Sequence, residues 1–403
     1  MGAPMDILTG KKIVLGVCGS IAAYKVAQLA RDLTLAGAQV DVIMTEAATR
    51  FVGAATFQAL TGRRVLGDIW ALPEDGVVGH VALGAQADLV VVAPATANRI
   101  AKIAAGLSDD LLTTTILATH APVLLAPAMN PQMYAAPATA ANVATLRARG
   151  YTVLEPDEGR MAEHVVGKGR MPEPPVLEGE IRALLGRDGP LGGRHVVITA
   201  GGTQEPIDPV RYIGNRSSGQ MGYALAARAR DLGARVTLIS GPTALTPPAA
   251  VALVRVMTAT EMQAALAEAV VGADMLIMNA AVADFRPVEA SSQKIKKSGD
   301  AELTLNLVPN PDIIAGLAER HDFFKVGFAA ETNDLLANAQ GKLERKGLDM
   351  IVANDAVSSI GQPEIALTLI DRGGATSLPR QPKALAAAAL LDEIVERFQR
   401  WRA

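Results

Sequence analysis

The chain contains a single cysteine, Cys18, and few aromatic residues. One cysteine excludes a disulfide within the chain and any zinc site built from cysteines. Phenylalanine, tryptophan and tyrosine together make up only 3% of the 403 residues, so the hydrophobic cores must be built from valine, isoleucine, leucine, alanine and methionine. That composition favours α/β layers over an aromatic-rich β-sandwich. At roughly 100–200 residues per domain, the length predicts two domains or three.

The chain also lacks a strong charge of either sign and a long apolar segment. Its formal net charge is −3, with no long basic stripe, which argues against nucleic acid as the main partner. No uncharged apolar run approaches the ~20 residues needed to span a bilayer. The first residues do not combine a basic segment with an apolar run, so we expect no secretory signal. These features predict a cytoplasmic protein that acts on small molecules without nucleic acid or membrane.

The first half alternates short apolar runs with helical segments. The runs Ile13–Val17, Val40–Met44, Leu89–Ala93 and Val123–Ala126 are predicted to be buried parallel strands. Residues 21–36 place alanine, valine and leucine on one helical face. We therefore predict a flavodoxin-like, doubly wound parallel sheet with helices on both faces.

The pattern breaks between Gly159 and Pro190, where glycine, proline and charged residues are dense. We predict a mobile flap and then a linker over about 157–189, interrupted by one short helix near Leu177–Leu185. The α/β pattern restarts at Leu191, where a turn and a basic residue again precede an apolar strand. We therefore predict one domain over 1–189 and a Rossmann-like α/β domain over 190–403.

Glycine and polar residues follow each predicted strand of the first half. These segments are Gly16–Lys25, Thr45–Ala48, Ala93–Asn98 and Ala126–Pro131. Ligands of open parallel sheets bind beyond the carboxyl ends of the strands, so the segments predict one binding site. The glycines of the first segment would let backbone N–H groups approach a phosphate at a helix N-terminus. Taken singly, a glycine turn after a strand is more often ordinary loop geometry than a cofactor site, and the Ala-Pro-Ala segments are also explained by strand termination.

Together with Gly79–Gly84, these segments resemble the flavin-containing cysteine decarboxylase family over most of residues 10–175. The resemblance implies FMN as cofactor and decarboxylation of 4′-phosphopantothenoylcysteine. It makes His80 the active-site base or a substrate-orienting histidine, although a lone histidine is more often a surface or interface residue. Asn130 would hold the substrate carboxylate. The residues implied to bind FMN are Gly19, Ser20, Thr45, Thr96 and Ser108.

The segment before Gly167–Met171 departs from that family. Where the family carries a Cys-Gly pair whose cysteine donates the last proton, this chain has Glu163 and His164. Its only cysteine, Cys18, lies in the flavin loop, where the family commonly has serine. One hypothesis is that Glu163 or His164 replaces the missing acid. The alternatives are a flavoprotein that stops at an oxidised enethiol and a flavin-binding regulatory protein without decarboxylase activity. We favour replacement, with Glu163 as the donor.

The most informative segment of the second half runs from Ile198 to Gly222 and contains Asn215-Arg-Ser-Ser-Gly before a predicted helix. Two serines at a helix start are by themselves explained by capping. The whole segment, however, resembles the phosphopantothenate–cysteine ligase signature, and the resemblance spans roughly residues 190–400. Further matching segments are Ala280–Phe285, Lys294–Lys297, Asn310–Ile313, Gly327–Thr332 and Lys346–Asp355.

This second resemblance implies a ligase that activates a carboxylate with CTP, as an acyl-cytidylate, before cysteine displaces CMP. Asn215 would bind that intermediate, and Lys294 would be catalytic because phosphoryl chemistry needs cations. A lysine run on its own is usually a solvated loop. Asp284 would contact the nucleotide and Mg²⁺, with Asp312 as a second metal ligand. The other implied nucleotide contacts are Phe328, Lys342, Lys346 and Asn354.

The two halves together resemble the bifunctional enzymes of coenzyme A biosynthesis. We expect ligation first and decarboxylation second, with 4′-phosphopantothenoylcysteine as the shared intermediate. In this family the decarboxylase halves form trimers, in which His80 would face a neighbour's flavin, and the ligase halves dimerise. A homo-oligomer, up to a dodecamer, is therefore implied. A dinucleotide dehydrogenase ranks last, because neither first strand is followed by a full Gly-x-Gly-x-x-Gly and a ribose-binding acid.

Overall fold

A computed structural model describes residues 6–71, 79–161, 165–297, 302–331, 335–355 and 361–402. The chain divides into two compact units, one within Met5–Leu185 and the other within Gly186–Ala403. Each unit has its own sheet and its own hydrophobic cores. In the part of the chain that the structure describes, no helix is both long and apolar enough to cross a bilayer.

The sheet of the first unit consists of β1 (Lys12–Val17), β2 (Gln39–Met44), β3 (Leu89–Ala95), β4 (Val123–Pro127) and β5 (Thr152–Val153). All neighbouring strands are parallel, and their order is β2-β1-β3-β4-β5. This is the strand order of flavodoxin-like folds, so the fold class predicted for this half is confirmed.

Helices cover both faces of this sheet. Val14 and Leu15 lie in different cores because successive residues of a strand point to opposite faces. Leu29, on the first helix, is fully buried against one face, and a buried leucine contributes about 1.5–3 kcal/mol. The helices of this unit are α1 (Ala23–Leu35), α2 (Ala54–Thr61), α3 (Gly79–Gln86), α4 (Ala97–Ala105), α5 (Leu111–Ala118), α6 (Pro131–Ala135), α7 (Pro137–Ala148) and α8 (Pro174–Gly186).

The predicted flap and linker differ from each other in the structure. The flap region forms an antiparallel hairpin of β6 (Asp157–Arg160) and β7 (Val166–Arg170). The predicted linker is mostly α8, whose Leu177 and Ile181 are fully buried in the core of the first unit. The helix predicted near Leu177–Leu185 is confirmed but is longer. Its two prolines lie in the first turn, where their missing N–H groups cost no hydrogen bond.

The sheet of the second unit consists of β8 (His195–Ala200), β11 (Arg235–Ser240), β12 (Ala252–Arg255), β13 (Met275–Met278), β16 (Phe324–Glu331), β17 (Met350–Asp355), β18 (Glu364–Asp371) and β19 (Gly374–Pro382). Its order is β12-β11-β8-β13-β16-β17-β18-β19, and only the pairings of β18 are antiparallel. Counted along the chain, the parallel strands follow the 3-2-1-4-5-6 order of dinucleotide-binding folds. The predicted Rossmann-like fold is therefore confirmed.

Two short hairpins of the second unit were not predicted, because each of their strands has only three residues. They pair β9 (Gln204–Pro206) with β10 (Tyr212–Gly214) and β14 (Phe285–Pro287) with β15 (Leu307–Pro309). The helices that cover the main sheet are α9 (Gln220–Asp231), α10 (Ala259–Ala269), α11 (Leu335–Arg345) and α12 (Lys383–Arg402).

Candidate active sites

The first unit has a cavity of about 1210 Å³ at the carboxyl ends of its central strands. Its wall includes Ser20 after β1, Thr45 after β2, Thr96 after β3 and Asn130 after β4. The sheet reverses its order between β1 and β3, which is where open α/β sheets bind ligands. Pockets for one small ligand usually measure about 300–1,000 Å³, so this cavity has room for a cofactor and a substrate together.

The loop after β1 brings backbone atoms to the cavity. A Cβ atom on Gly19 would lie 2.4 Å from the Cβ of Ala47, so no larger residue fits unless the loop after β2 moves. Helix α1 begins just beyond, and Ala22 offers no side chain to cap its first N–H groups. A helix start that lacks a side-chain cap beside a narrow glycine turn is suited to an anionic group such as a phosphate.

The polar side chains on the wall also stabilise the local backbone. Thr45 Oγ1 accepts a hydrogen bond from the Ala48 N–H at 3.3 Å, and Thr96 Oγ1 caps α4 by accepting from the Arg99 N–H at 3.3 Å. Because a hydroxyl has one hydrogen and two lone pairs, both threonines can donate to a ligand while they accept from the backbone. Asn130 Oδ1 accepts from the Gln132 N–H at 2.9 Å at the start of α6.

A buried ion pair that the sequence analysis did not identify lines the same cavity. Arg99 is 5% exposed and donates to the Asp110 carboxylate, while its Nε has no partner within the described residues. Cys18 lies beside them, and burial raises the pKa of its thiol to about 11 although Arg99 opposes the shift. Cys18 is therefore a neutral thiol at physiological pH and not a nucleophile. The sequence feature that could have indicated this pair is Asp110, which is the N-cap residue of α5.

Two predicted residues of this site do not line the cavity. Ser108 is exposed, and its carbonyl accepts from the Thr114 hydroxyl at 3.2 Å, although the next residue, Asp109, is on the wall. His80 is the second residue of α3, and its Nδ1 is buried and has no partner in the described ranges. The structure thus brings Gly19, Ser20, Thr45, Thr96 and Asn130 together and leaves Ser108 and His80 outside.

The hairpin of β6 and β7 contacts the turn that carries Asn130. Met129 N–H donates to the carbonyl of Gly169 at 3.0 Å, and Arg160, Met161 and Arg170 contribute to the cavity wall. The flap therefore forms part of the site, as predicted from its sequence. Glu163 and His164, the candidate proton donors, lie outside the described residues.

In the second unit, the loops after β8 and β13 meet at the carboxyl edge of the sheet. Thr203 Oγ1 accepts from the Ala283 N–H at 2.9 Å, and Asn215 Nδ2 donates to the Val282 carbonyl at 2.9 Å. Asp284, the next residue, is exposed. Asn215 and the loop that carries Asp284, both implied by the resemblance to the ligase, therefore lie side by side.

The exposed lysine segment Lys294–Lys297 is held by an ion pair that the sequence analysis missed. Asp208 Oδ2 accepts from the Ile295 N–H at 3.1 Å, and Arg211 Nη2 donates to the Ile295 carbonyl at 2.6 Å. Both residues belong to the segment Ile198–Gly222, and the resemblance of this segment to the ligase was the sequence feature that could have identified them.

Asp312 and Lys346, predicted as a metal ligand and a phosphate contact, pair with each other at 3.0 Å. Burial acts to raise the pKa of Asp312, but the hydrogen bonds from Lys346 and backbone N–H groups outweigh it and lower the pKa. Asn310 N–H donates to the Asp284 carbonyl at 2.8 Å, which places the segments of both predicted metal ligands side by side. Within the described ranges, His, Cys, Asp and Glu form no group of three or more that could hold a metal.

The remaining predicted nucleotide contacts lie on β16, on β17 and around the end of α11. Phe328 is partly buried and packs against the core, so part of its ring is structural. Asn354 is near the end of β17, where its amide donates to the Asp355 carbonyl at 3.3 Å. Lys342 and Lys346 are four residues apart at the end of α11, a spacing that puts them on one helical face.

Two family models match the chain, one for each unit. The flavoprotein family matches residues 3–186, and the C-terminal domain of DNA/pantothenate metabolism flavoproteins matches residues 191–398. The coenzyme A biosynthesis bifunctional protein CoaBC of Vibrio vulnificus is 47% identical over 397 residues, which cover 97% of this chain and 98% of that protein. The CoaBC proteins of Escherichia coli and Mycobacterium tuberculosis are also 47% identical, over 97% and 96% of this chain and 98% and 96% of theirs.

Two solved structures are each similar to one half of the chain. The C-terminal domain of a CoaBC protein is 37% identical, with a TM-score of 0.46, and covers 53% of this chain and 99% of its own. A mutant PPC decarboxylase in complex with pantothenoylaminoethenethiol is 31% identical, with a TM-score of 0.40, and covers 43% of this chain and 97% of its own.

Proposed function

The chain belongs to the family of bifunctional coenzyme A biosynthesis proteins, and we propose that it uses FMN in the first unit and CTP with Mg²⁺ in the second. Membership of this family makes the chain a flavoprotein decarboxylase joined to a phosphopantothenate–cysteine ligase. The observation that carries the FMN proposal is the cavity at the reversal point of the first sheet, with its glycine turn and uncapped helix start. FMN ends in one phosphate, which suits this single anion site.

The residues of the cavity fit this cofactor. Gly19 and Ser20 would hold the phosphate at the start of α1, and the hydroxyls of Thr45 and Thr96 would donate to the rest of the flavin. When bound, FMN would supply reversible hydride transfer to the substrate. Asn130, which we assign to the substrate, can donate its amide N–H groups to the substrate carboxylate and so keep that group beside the reacting carbon.

We propose Glu163 as the acid that donates the final proton, with His164 as the alternative. The support is that Glu163 stands where related decarboxylases carry the donor cysteine and His164 where they carry the following glycine. In addition, Met161, two positions before Glu163, lies on the cavity wall. A carboxyl group near an anionic substrate can keep its proton, because a like charge raises its pKa.

The proposed ligase chemistry begins when the carboxylate of 4′-phosphopantothenate attacks the α-phosphorus of CTP. The new acyl–phosphate bond forms as the bond to pyrophosphate breaks, and the amine of cysteine then displaces CMP. We assign Lys294 to the charge that develops on the phosphates, with Lys342 and Lys346 as further cations and Phe328 and Asn354 as nucleotide contacts. Asn215 would hold the acyl-cytidylate through the part of its amide that does not bind Val282.

The proposal of Mg²⁺ rests on the carboxylates that are available to bind it. Mg²⁺ usually takes one or two carboxylates and completes its shell with phosphate oxygens and water. Asp284, which is exposed, fits the first position. Asp312 fits the second if Lys346 moves from its carboxylate to a phosphate of the nucleotide.

One experiment tests both halves. Purified protein is incubated with 4′-phosphopantothenate, cysteine, Mg²⁺ and each of CTP, ATP, GTP and UTP in turn, and products are identified by mass spectrometry. We expect 4′-phosphopantetheine with CTP, and the oxidised enethiol instead when Glu163→Gln is used. A preference for another nucleotide would overturn the CTP assignment. Enethiol from the wild-type chain would overturn the assignment of Glu163. The same enethiol from His164→Asn alone would move the proton-donor role to His164.

A further inference from the structure

The turn between β9 and β10 contains an ion pair between a buried carboxylate, Asp208, and an exposed arginine, Arg211, which the proposed ligase chemistry does not use. The side chain of Asp208 has no exposed surface, and its Oδ2 lies 2.5 Å from Nη2 and 3.0 Å from Nε of Arg211. Its Oδ1 accepts the backbone N–H groups of Val210 and Arg211, each at 2.8 Å. Arg211, together with these N–H groups, holds the pKa of Asp208 well below its usual range. Asp208 is therefore a permanent buried anion whose two oxygens are fully used.

This pair also reaches the lysine segment, defined here as Lys294–Lys297. The N–H of Ile295 donates to Asp208 Oδ2 at 3.1 Å, and its carbonyl accepts from Arg211 Nη2 at 2.6 Å. A further backbone hydrogen bond, from Ser291 N–H to the Ile207 carbonyl at 2.9 Å, joins the same two loops. One ion pair thus fixes both backbone groups of a residue that stands between two exposed lysines.

Such a contact matters for a cationic loop. Three lysines within four residues repel one another, and an unrestrained segment would lose backbone entropy when a ligand orders it. Consecutive Cα atoms are ~3.8 Å apart, so fixing Ile295 also restricts where Lys294 and Lys296 begin. The ion pair of Asp208 and Arg211 therefore orders the segment before any nucleotide binds.

We propose that Asp208 is a positioning residue of the ligase, which acts through Arg211 and Ile295 to hold the lysine segment where the triphosphate binds. This inference rests on the proposed nucleotide-dependent function of the second unit. Asp208 itself touches no substrate. Its loss should weaken binding of CTP and formation of the acyl-cytidylate, while the later attack by cysteine is affected less.

The test compares the full-length wild type with Asp208→Asn, Asp208→Glu and a control, Asp322→Asn. Asp322 also pairs with a nearby arginine, Arg320, at 2.5 Å, but on the surface and without contact to the lysine segment. Hydrogen bonds to charged groups are worth about 1.5–3 kcal/mol, so Asp208→Asn should lower kcat/KM for CTP by roughly 10–100-fold in a pyrophosphate-release assay. We expect partial rescue by Asp208→Glu, which keeps the charge, and less than about a twofold change in the control.

A second readout follows the order of the segment without relying on activity. Trypsin should cleave after Lys294, Lys296 and Lys297 faster in Asp208→Asn than in the wild type, while cleavage elsewhere stays the same. Unchanged cleavage elsewhere in the second unit shows that this unit is folded, and unchanged decarboxylation of added 4′-phosphopantothenoylcysteine shows the same for the first unit. Ile295→Pro removes the N–H that Asp208 binds and leaves the ion pair intact. It should reproduce the loss in kcat/KM for CTP and the faster cleavage after Lys296 and Lys297, whereas the bond it creates between Lys294 and a proline is not a trypsin site. This variant decides the matter if Asp208→Asn does not fold.

The outcomes distinguish a failure of the positioning role of Asp208 from a failure of the CTP assignment. An active wild-type ligase whose KM for CTP and trypsin cleavage are unaffected by both Asp208→Asn and Ile295→Pro would overturn the positioning role. A wild-type chain that releases no pyrophosphate with CTP would overturn the nucleotide assignment instead, and faster cleavage in the variants would still support the restraint on the segment.

Discussion

Gly169 in the flap and Met129 in the turn before Asn130 approach so closely that no side chain fits between them. A Cβ atom on Gly169 would lie 2.2 Å from the Met129 carbonyl oxygen, and the Met129 N–H donates to the Gly169 carbonyl at 3.0 Å. The flap strand is therefore seated on the backbone that orients Asn130. Any residue larger than glycine must move the flap, the turn or both.

Gly169→Ala should accordingly impair decarboxylation and spare ligation. We expect kcat/KM for 4′-phosphopantothenoylcysteine to fall at least tenfold, since small errors in the position of catalytic groups cost about 100-fold. The matched control is Gly159→Ala in the same hairpin, whose Cβ would meet only the flexible end of Arg170 at 2.7 Å. Equal activities of the two variants would show that the contact does not position Asn130.

Gly19→Ala should prevent flavin binding. The added methyl group collides with Ala47 at 2.4 Å, which widens the turn that we assign to the phosphate. The control is Gly53→Ala, because a Cβ there has nothing within 4 Å and its φ of −72° suits alanine. We expect flavin absorbance to co-purify with the wild type and Gly53→Ala but not with Gly19→Ala. Flavin released from the wild type should have the mass of FMN, and FAD would contradict the cofactor assignment.

His80 should act on the flavin of another copy of the chain, because it does not line the cavity of its own unit. His80→Asn keeps the cavity, and Gly19→Ala keeps His80, so each homomeric variant should lose at least about 100-fold in decarboxylase rate. Co-expression of the two should restore a clear fraction of activity in mixed oligomers. Activity no higher than the sum of the separate variants would place the histidine's function within one chain. The mass of the wild-type complex in solution tests the proposed trimer-based homo-oligomer directly.

Cys18 should make the stability of the chain sensitive to alkaline pH. Burial raises the pKa of its thiol from 9.0 to about 11, so in that window the folded chain keeps a proton that the unfolded chain loses. The contribution is fully present below about pH 9 and is lost as pH rises to about 11, at up to about 1.4 kcal/mol per pH unit. Denaturant unfolding should show a smaller decline for Cys18→Ser than for the wild type. Equal slopes in both proteins would contradict burial of the thiol.

Asp284→Asn should raise the Mg²⁺ concentration needed for half-maximal pyrophosphate release, because an amide is a weaker ligand for a hard cation than a carboxylate. Asp312→Asn should also break the pair with Lys346, so its KM for CTP should change as well as its Mg²⁺ requirement. Asp322→Asn, on the surface of the same unit, is the control. Unchanged Mg²⁺ titrations for both Asp284 and Asp312 variants would remove these two residues from the metal site.

Both sheets could be predicted from the sequence because their central strands are continuous apolar runs. Ile13–Val17 and Val123–Ala126 must be buried on both faces, which only a covered parallel sheet provides. Helix α8 was underestimated because its prolines and charges resemble a linker, and only packing of Leu177 and Ile181 in the core reveals its length. The short hairpins of the second unit carry too few residues for a periodic signal.

The sequence by itself determined which residues end the parallel strands, and hence that Gly19, Thr45, Thr96 and Asn130 would share one edge of a sheet. The tertiary structure decided what local pattern cannot encode, because the partners are distant along the chain. It placed the pair of Arg99 and Asp110 in the cavity wall and left His80 outside the cavity of its own unit. It also paired Asp312 with Lys346, and it joined Asp208 to Ile295, which lies 87 residues away in the sequence. Strand periodicity specifies direction and burial, whereas these pairings depend on the side chains that meet once the sheet has formed.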